Sequence, residues 1–480
     1  MPKTISEHFN LKKTQAELDF ANVWVYKDLP LFIDPLPLSQ RNDKLSKDCH
    51  LTLKTYFQHL VVSIRKNNER EALDLLRHLR EPNETRLGFS ANRPQGAGIG
   101  SLQAKQIFAA LKRSTAVKTG FITSLEECEL MIPGIGIDKI SDLTTNVIRG
   151  HLVQYTQGQC LLHNIPTQDV PLSPCFNPSS LQWESAYRRL PVVNGKALLF
   201  VPKVFVKISC AIEHYKYYRG YVLEYMQEKA LAGGTYSNLV LTLKNEHRVI
   251  YKKELEKKEP CAKEFLYDFS KKHQHILEKY RDDLNKEARV DKLSDLDTYN
   301  EREIGELLAK ALKSIPAGSE DATEYHNLMV GIVEFLFFPF LDNPVKEKEI
   351  NEGRKRIDIV MDNAARSGIF WKLWNPMHVP CGKVPIECKN YRTDVGNPEL
   401  DQLAMRLSWN TGMFGILCCR HFEDRGLFIK RCKDAWRQQK QLLVPLDDKT
   451  ILLWLDVIAK GSRGILDKRL QVLIEEVWGL

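Results

Sequence analysis

Ile386-Glu387-Cys388-Lys389-Asn390-Tyr391 is a short apolar run broken by two charges of opposite sign. In an extended segment alternate side chains share a face, so Glu387 and Lys389 project together while Ile386 and Cys388 turn toward a core. A second such run, Arg356-Ile357-Asp358-Ile359-Val360, lies upstream and carries a single Asp. Asp358 beside Glu387 makes a carboxylate pair able to hold a hard divalent cation, with Lys389 within reach of a water bound to it. The alternative is a surface ion pair on a solvated sheet face. It fits less well, because charge inside apolar strands is rarely retained without a partner or a metal.

The elements around these runs come in a readable order. Leu328, Ile332, Phe335 and Leu336 give a helix over about 321–338 an apolar face. Strands are expected near 355–361, 369–374 and 384–391. Asn397-Pro398-Glu399-Leu400-Asp401 reads as a helix start, with Asn397 as N-cap, Pro398 in the first turn and acidic residues beside it. A buried strand, Met413 to Cys419, a helix over about 424–440, the strand Leu442 to Leu446 and a final helical region follow.

Helix, three strands, helix, strand is the core order of the restriction-endonuclease-like, PD-(D/E)XK nucleases. The last 160 or so residues resemble that superfamily, with Asp358 in the first motif and Glu387-Cys388-Lys389 as the E-x-K. Ile357 stands where the family pattern has a proline. The resemblance implies an α/β C-terminal domain with an αβββαβ core and a metal-dependent endonuclease activity on nucleic acid, DNA ahead of RNA. It implies Mg²⁺, with Mn²⁺ able to substitute, held by Asp358, Glu387 and the backbone carbonyl of Cys388. Lys389 would position or help deprotonate the attacking water and stabilise charge developing at phosphorus. Glu324 resembles the extra acidic residue that some relatives place near the metal. Glu334 competes for that role, but ten residues along a helix turn it about 80° from Glu324.

Gln402 and Arg406 are four apart on the helix after the motif and face one way, toward a base, a phosphate or the lysine. The plainer reading pairs Arg406 with Asp401 or Glu399. Asn390, Tyr391 and Arg392 follow the lysine within reach of a phosphate backbone, although Tyr391 is equally suited to packing under the helix.

The chain before residue 316 is expected to be a mostly helical α+β region. It divides into 1–180, mainly helical, and 181–315, with a charged helical arm; residues 316–480 form the nuclease-like domain after the break Ser314-Ile315-Pro316-Ala317-Gly318. Apolar residues from Leu53 to Ile64 and from Ala72 to Leu79 recur at helical spacing. Leu31 to Leu38 holds two prolines and reads as extended, with Asp34 as a turn former. The glycine-rich loop Gly88 to Ser101 runs into a helix but lacks the Gly-Lys-Ser/Thr ending of a P-loop, so a structural turn and a phosphate cradle both remain open. Ile132-Pro133-Gly134-Ile135-Gly136-Ile137-Asp138-Lys139 resembles a helix-hairpin-helix, in which Gly134, Gly136 and Lys139 would bind phosphate; Asp138 and Asp142 argue for a plain interhelical turn. The segment from His151 to Pro178 reads as loops, and Ala197–Val201 and Val204–Ile208 as short strands.

At 480 residues, 43% hydrophobic and 27% charged, the chain has the composition of a multidomain globular protein. A net charge of +8 permits an anionic partner without requiring one. The first residues lack a signal-peptide core, and the apolar run from Leu328 to Leu341 is too short to span a bilayer and contains Glu334 and Pro339. The expectation is a cytoplasmic protein with reduced thiols and no membrane partner. The leading reading is a nuclease, with a role in bacterial defence against foreign DNA suggested by likeness to uncharacterised bacterial proteins. Coordinated cutting of both strands would call for a homodimer. The competing reading is a nucleic-acid-binding or assembly protein whose nuclease fold is inactive.

Overall fold

The structure, a computed structural model, describes residues 3–79, 81–87, 100–122, 124–207, 212–243, 245–287, 300–346, 359–409 and 412–479. The glycine-rich loop over 88–99 and Asp358 lie outside these. Two buried apolar clusters organise the described chain, which is mixed α/β. One gathers side chains from Ile5 to Leu284, and the other draws on Ala16, Leu162 and Ile304 to Val477.

The first cluster is built on two long helices. Helix α1 (Lys44–Arg65) starts at Asp43, whose carboxylate accepts the Ser46 N–H at 2.7 Å, and it buries Leu53, Tyr56, Phe57, Leu60, Val61 and Ile64 as their spacing predicts. Helix α2 (Ile137–Leu162) crosses it and replaces the loops expected from His151 onward. Its interior face is unusually polar. Thr144, Thr145 and Thr156 turn their hydroxyls onto carbonyls one turn back at 2.7 Å each, and Arg149 bonds Glu84 at 2.9 Å and Asn146 at 2.7 Å. Polar groups satisfied in this way are buried alongside the apolar residues Ile140, Leu143, Val147, Ile148 and Leu152.

Three further expectations fail locally. Pro35 and Pro37 lie in a short helix, Pro35–Gln40, rather than an extended segment, because N–H groups of a first turn have no intrahelical partner; Asp34 is its N-cap, accepting from Leu36 at 3.0 Å. Leu198 to Val201 are buried but only Lys196–Ala197 and Val206–Lys207 pair as strands there. The charged helices Lys252–Lys258, Lys263–Lys272 and Gln274–Glu287 bury Leu255, Leu266, Phe269, Leu277 and Leu284 in the first cluster, so they pack down rather than extend as an arm.

The second cluster surrounds a five-stranded sheet. Helix α3 (Glu301–Ser314) and helix α4 (Ala322–Phe337) lead into β1 (Leu341–Val345) and β2 (Ile359–Asn363). Then come α5 (Gly368–Trp374), β3 (Lys383–Lys389), α6 (Asn397–Ala404), β4 (Phe414–Cys419), α7 (Arg425–Gln439), β5 (Leu442–Asp447), α8 (Asp448–Ala459) and α9 (Ile465–Trp478). The strands lie in the order β1-β2-β3-β4-β5. Pairs β1–β2 and β2–β3 are antiparallel, and β3–β4 and β4–β5 are parallel. The strand expected over 369–374 is α5: Ile369, Phe370 and Leu373 are buried at helical spacing, and Asp467 accepts the Ile369 N–H at 2.6 Å. The strand that reading missed is β1, which holds Pro344 and lies at the sheet edge.

The two clusters meet along a buried ionic seam. Lys203 Nζ lies 2.9 Å from Glu334 Oε1, with side chains 7% and 0% exposed, and 4.1 Å from the Phe338 ring centroid. Arg41 pairs with Asp43 and with Asp342 of β1. Asp19 accepts the Tyr155 hydroxyl at 2.6 Å and the Asn343 N–H at 3.1 Å. Burial lifts Glu334 to about 7 against the pull of Lys203. Breaking a buried pair strands a charge, so Lys203→Met should lower unfolding free energy by about 3–5 kcal/mol, and Lys203→Met with Glu334→Leu should recover most of it. Denaturant unfolding of the two variants checks this; a double variant as weak as the single one would exclude a stranded charge as the cause.

Burial also lifts Glu126, in the first cluster, from 4.5 to about 7, with Glu127 and Asp34 adding to the rise. Its folded value exceeds its unfolded one, so its contribution to stability is full below about 4.5 and is lost as pH climbs through about 7. Glu126→Gln is neutral throughout. Its stability relative to the parent should therefore rise by up to about 3 kcal/mol between about pH 5 and about pH 8, and melting curves at both ends of that range would show a pH-independent difference if the carboxyl were not shifted.

Candidate active site

Strand β3 is the place where the sheet changes from antiparallel to parallel pairing. Ile386 lies opposite Ile359 on one side and Ile416 on the other, and Glu387 is level with Leu417. Ile386 is fully buried and Cys388 packs against the second cluster, as alternation requires. Glu387 and Lys389 emerge on the opposite face, which α6 covers. A glycine permits the close approach of α6: a Cβ on Gly415 of β4 would stand 3.2 Å from Leu403 Cδ1.

That approach brings two side chains onto the strand. Gln402 Oε1 accepts from Lys389 Nζ at 3.0 Å. Lys389 Nζ also lies 2.6 Å from Glu387 Oε1, and Arg406 pairs with Glu387 Oε2. Glu387 is fully buried, while the Lys389 and Arg406 side chains are 12% and 11% exposed. One carboxylate thus holds two cations in a face of low polarity, leaving the trio with net positive charge.

Arg406 thus reaches across to Glu387 of the strand, a partner that its spacing from Asp401 and Glu399 did not suggest. Helix α6 ends at Ala404, so Arg406 lies beyond it on a turn, where four-residue spacing no longer sets its neighbours. The polar and glycine residues Ser408 and Gly412 are the sequence signal that the helix stops early. At the other end, Gly396 rather than Asn397 is the N-cap, and Glu399 reaches back to the Gly396 N–H at 2.8 Å.

The residues after the lysine divide in their use. Asn390 is 3% exposed and donates its amide to the carbonyls of Pro316 at 3.0 Å and Gly318 at 2.7 Å, so it ties the segment before α4 to the end of β3 and is not turned out to a phosphate. Tyr391 is 39% exposed, with Lys389 Nζ 6.0 Å from its ring centroid. Arg392 is exposed and bonds the Ala317 carbonyl at 2.8 Å. Tyr391 and Arg392 line an open cleft of about 250 Å³ with Ser319, Glu320 and Thr393. Asn390→Ala removes both ties and should cost about 2–3 kcal/mol of stability, read by thermal unfolding; an unchanged melting point would mean the segment is held by other contacts.

Other expected residues lie apart. Glu324 is exposed in the first turn of α4 and is not joined to Glu387 or Lys389. Glu334 is spent in the ionic seam. Gly134 has φ +79°, and Gly136 caps α2. Lys139 donates to the Gly134 carbonyl at 2.7 Å and Lys263 to that of Ile135 at 2.7 Å. The turn is exposed, and its lysine is engaged within it. On the Cys388 side of the sheet is a group the sequence did not mark: Tyr325 donates to Asp448 at 3.0 Å and Arg420 pairs with Asp448 at 3.1 Å. Burial holds Asp448 up at about 6.

Among the described residues no group of three or more His, Cys, Asp or Glu side chains is placed to hold a metal ion. The donors that are described, the Glu387 carboxylate and the Cys388 carbonyl, are hard oxygen ligands of the kind Mg²⁺ takes. They fit such an ion in chemistry, with Arg406 and Lys389 at present on the carboxylate. No helix among the described residues is long and apolar enough to cross a membrane.

A family model described as a domain of unknown function, DUF8370, matches residues 10–213, which lie before the five-stranded sheet. No curated protein and no solved structure matches the chain.

Proposed function

We propose that the chain is a Mg²⁺-dependent nuclease that hydrolyses phosphodiester bonds in nucleic acid, DNA ahead of RNA. One observation carries the reading: a fully buried glutamate and a lysine two residues on share one face of the strand at the switch in the sheet, with a glutamine amide from the covering helix on the lysine. The element order supports it, since a helix, three strands, a helix and a strand follow one another if α5 is taken as an insertion. Asp358 would complete the ligand set. Ile359, the residue after it in sequence, lies opposite Ile386, the residue before Glu387.

Glu387, the Cys388 carbonyl and Asp358 would hold the ion, which when bound supplies Lewis acidity toward water and phosphate. Lys389 donates to Gln402 and pairs in charge with Glu387, and an ammonium has three donors. A donor of that ammonium would hold the attacking water or a phosphate oxygen, and the charge of Lys389 would offset the negative charge that grows at phosphorus. Gln402 fixes the lysine's position. Tyr391 and Arg392 give the adjoining cleft a stacking surface and a cation for the flanking nucleotide.

The competing reading, a nucleic-acid binder with an inactive nuclease fold, draws on the engagement of both Glu387 oxygens by cations. Incubation with supercoiled, linear and single-stranded DNA and with RNA, with Mg²⁺ or Mn²⁺ and then chelator, separates the two. Lys389→Ala and Asp358→Ala should each reduce metal-dependent cutting by about 100-fold or more. Cutting equal to the parent in both variants would exclude this site. Steeply salt-dependent binding with no cutting in either metal would favour the binder.

A further inference from the structure

We propose that the N-terminal part of the chain carries a nucleobase-binding cleft, which takes a purine, guanine ahead of adenine, between Arg188 and Glu184. The cleft lies within residues 10–213, which the family model matches, and it stands independently of the metal-dependent reading.

The cleft measures about 490 Å³ and has one face of helix α2 as its floor. Val147, Gly150, His151, Gln154 and Gln157 recur at helical spacing, so they line up on one side of that helix. Gly150 keeps the floor low, since a Cβ there would already lie 3.7 Å from Cys175 Cβ. Cys175 and Phe176, on the strand Cys175–Asn177, form a wall. Phe176 is buried with its ring edge-on to Tyr56 and Trp183, at centroid distances of 5.1 and 5.6 Å, which holds that wall in place. The strand Tyr187–Leu190 contributes Arg188. Leu190 is buried against Val153 and Leu199, and Arg188, two residues before it, shares that face. The guanidinium therefore turns to the helix side and lines the cleft, while remaining open to a ligand.

Two formal charges face this space without cancelling by contact. Glu184 Oε1 accepts from Asn177 Nδ2 at 2.7 Å and from Ser180 Oγ at 3.0 Å, which fixes the carboxylate with neutral donors. Arg188 Nη1 donates to the Tyr187 carbonyl at 3.2 Å. Among the described residues the two side chains form no ion pair with each other. Burial lifts the pKa of the Cys175 thiol, Arg188 draws it down and Glu184 adds to the rise, so both charges bear on the same wall. His151 meets the Thr52 hydroxyl through Nε2 at 2.8 Å, and burial lowers its pKa, so its ring is neutral at neutral pH.

A lining balanced in this way does not match a polyanion. It matches a flat neutral ring with acceptors on one edge and a donor on another. Guanine has both: O6 and N7 accept from a guanidinium, and the N2 amino group donates to a carboxylate. Adenine places its amino group beside N7 and offers Arg188 one acceptor there in place of two. Gln157 donates to the Arg189 carbonyl at 3.1 Å, which steadies an amide at the end of the floor, and Val147, Val153 and Phe176 supply apolar surface for the ring. A free amino acid answers the same two charges but carries them on one carbon, which suits a cation and an anion close enough to pair.

Calorimetric titration of the full chain in the presence of chelator tests this apart from any metal-dependent chemistry. Guanosine should bind once per chain and at least about tenfold tighter than adenosine, and Arg188→Ala and Glu184→Ala should each weaken it by at least about tenfold. Both side chains are exposed, so the melting temperature of these variants without ligand should match the parent's. Gly150→Leu, which fills the floor, should abolish binding; if it does not fold, the two alanine variants decide. A thymine strand carrying one guanine, set against thymine alone, separates the sources of the base. A gain from the guanine that is lost in Arg188→Ala assigns the cleft to a base within a nucleic acid, and guanosine binding without that gain assigns it to free nucleosides. Adenosine binding as tightly as guanosine would overturn the preference. Binding of neither guanosine nor the guanine in the strand, binding of L-phenylalanine in their place, or guanosine binding unchanged in all three variants would overturn the proposal, and none of these results touches the Glu387 site.

Discussion

Charge buried without water governs the arrangement of this protein. At the seam between the two apolar clusters, Lys203 and Glu334 face each other out of solvent, and Arg41 reaches across to Asp342 at the sheet edge. Such pairs add little net stability compared with well-packed apolar side chains, but they tolerate only one relative placement. The N-terminal cluster is thereby held in register against the sheet. A region attached in this way behaves as a fixed wall of the molecule and not as a module on a tether.

The same constraint recurs at Glu387, where a carboxylate inside the sheet is satisfied by Lys389 and Arg406. The two places differ in outlook. At the seam the charges are closed in on all sides, as a joint should be. At Glu387 the cations are partly exposed, and Tyr391 and Arg392 open onto a cleft beside them.

Legibility in the sequence followed the source of each element's stability. Strand β3, helix α1 and the helix after the motif were readable because apolar periodicity decides them. Helix α2 was hidden beyond His151 because its buried face there includes the polar Thr156 and Gln159, whose hydrogen bonds, to the Leu152 and Pro344 carbonyls, only the folded chain reveals. Helix α5 was mistaken for a strand because seven residues, five of them apolar, fit either period. At the site, Glu387 and Lys389 followed from alternation along one strand, and Gln402 from helical spacing. The partner of Arg406 did not, since it depends on where α6 ends and on how closely Gly415 lets that helix lie. Glu324 failed for a related reason: helix geometry fixes which residues share its face, but not which face is turned to the sheet.

The change of sense at β3 has a consequence for access. Lys389 is the last residue of that strand, and Cys419, opposite it, is the last of β4, so two parallel strands finish side by side while β2 begins next to them. The chain leaves β3 for α6 on one face, and it leaves β4 for α7. The sheet therefore has a front and a back along its strands, and Glu387 and Lys389 stand near the rim at which β3 and β4 end together.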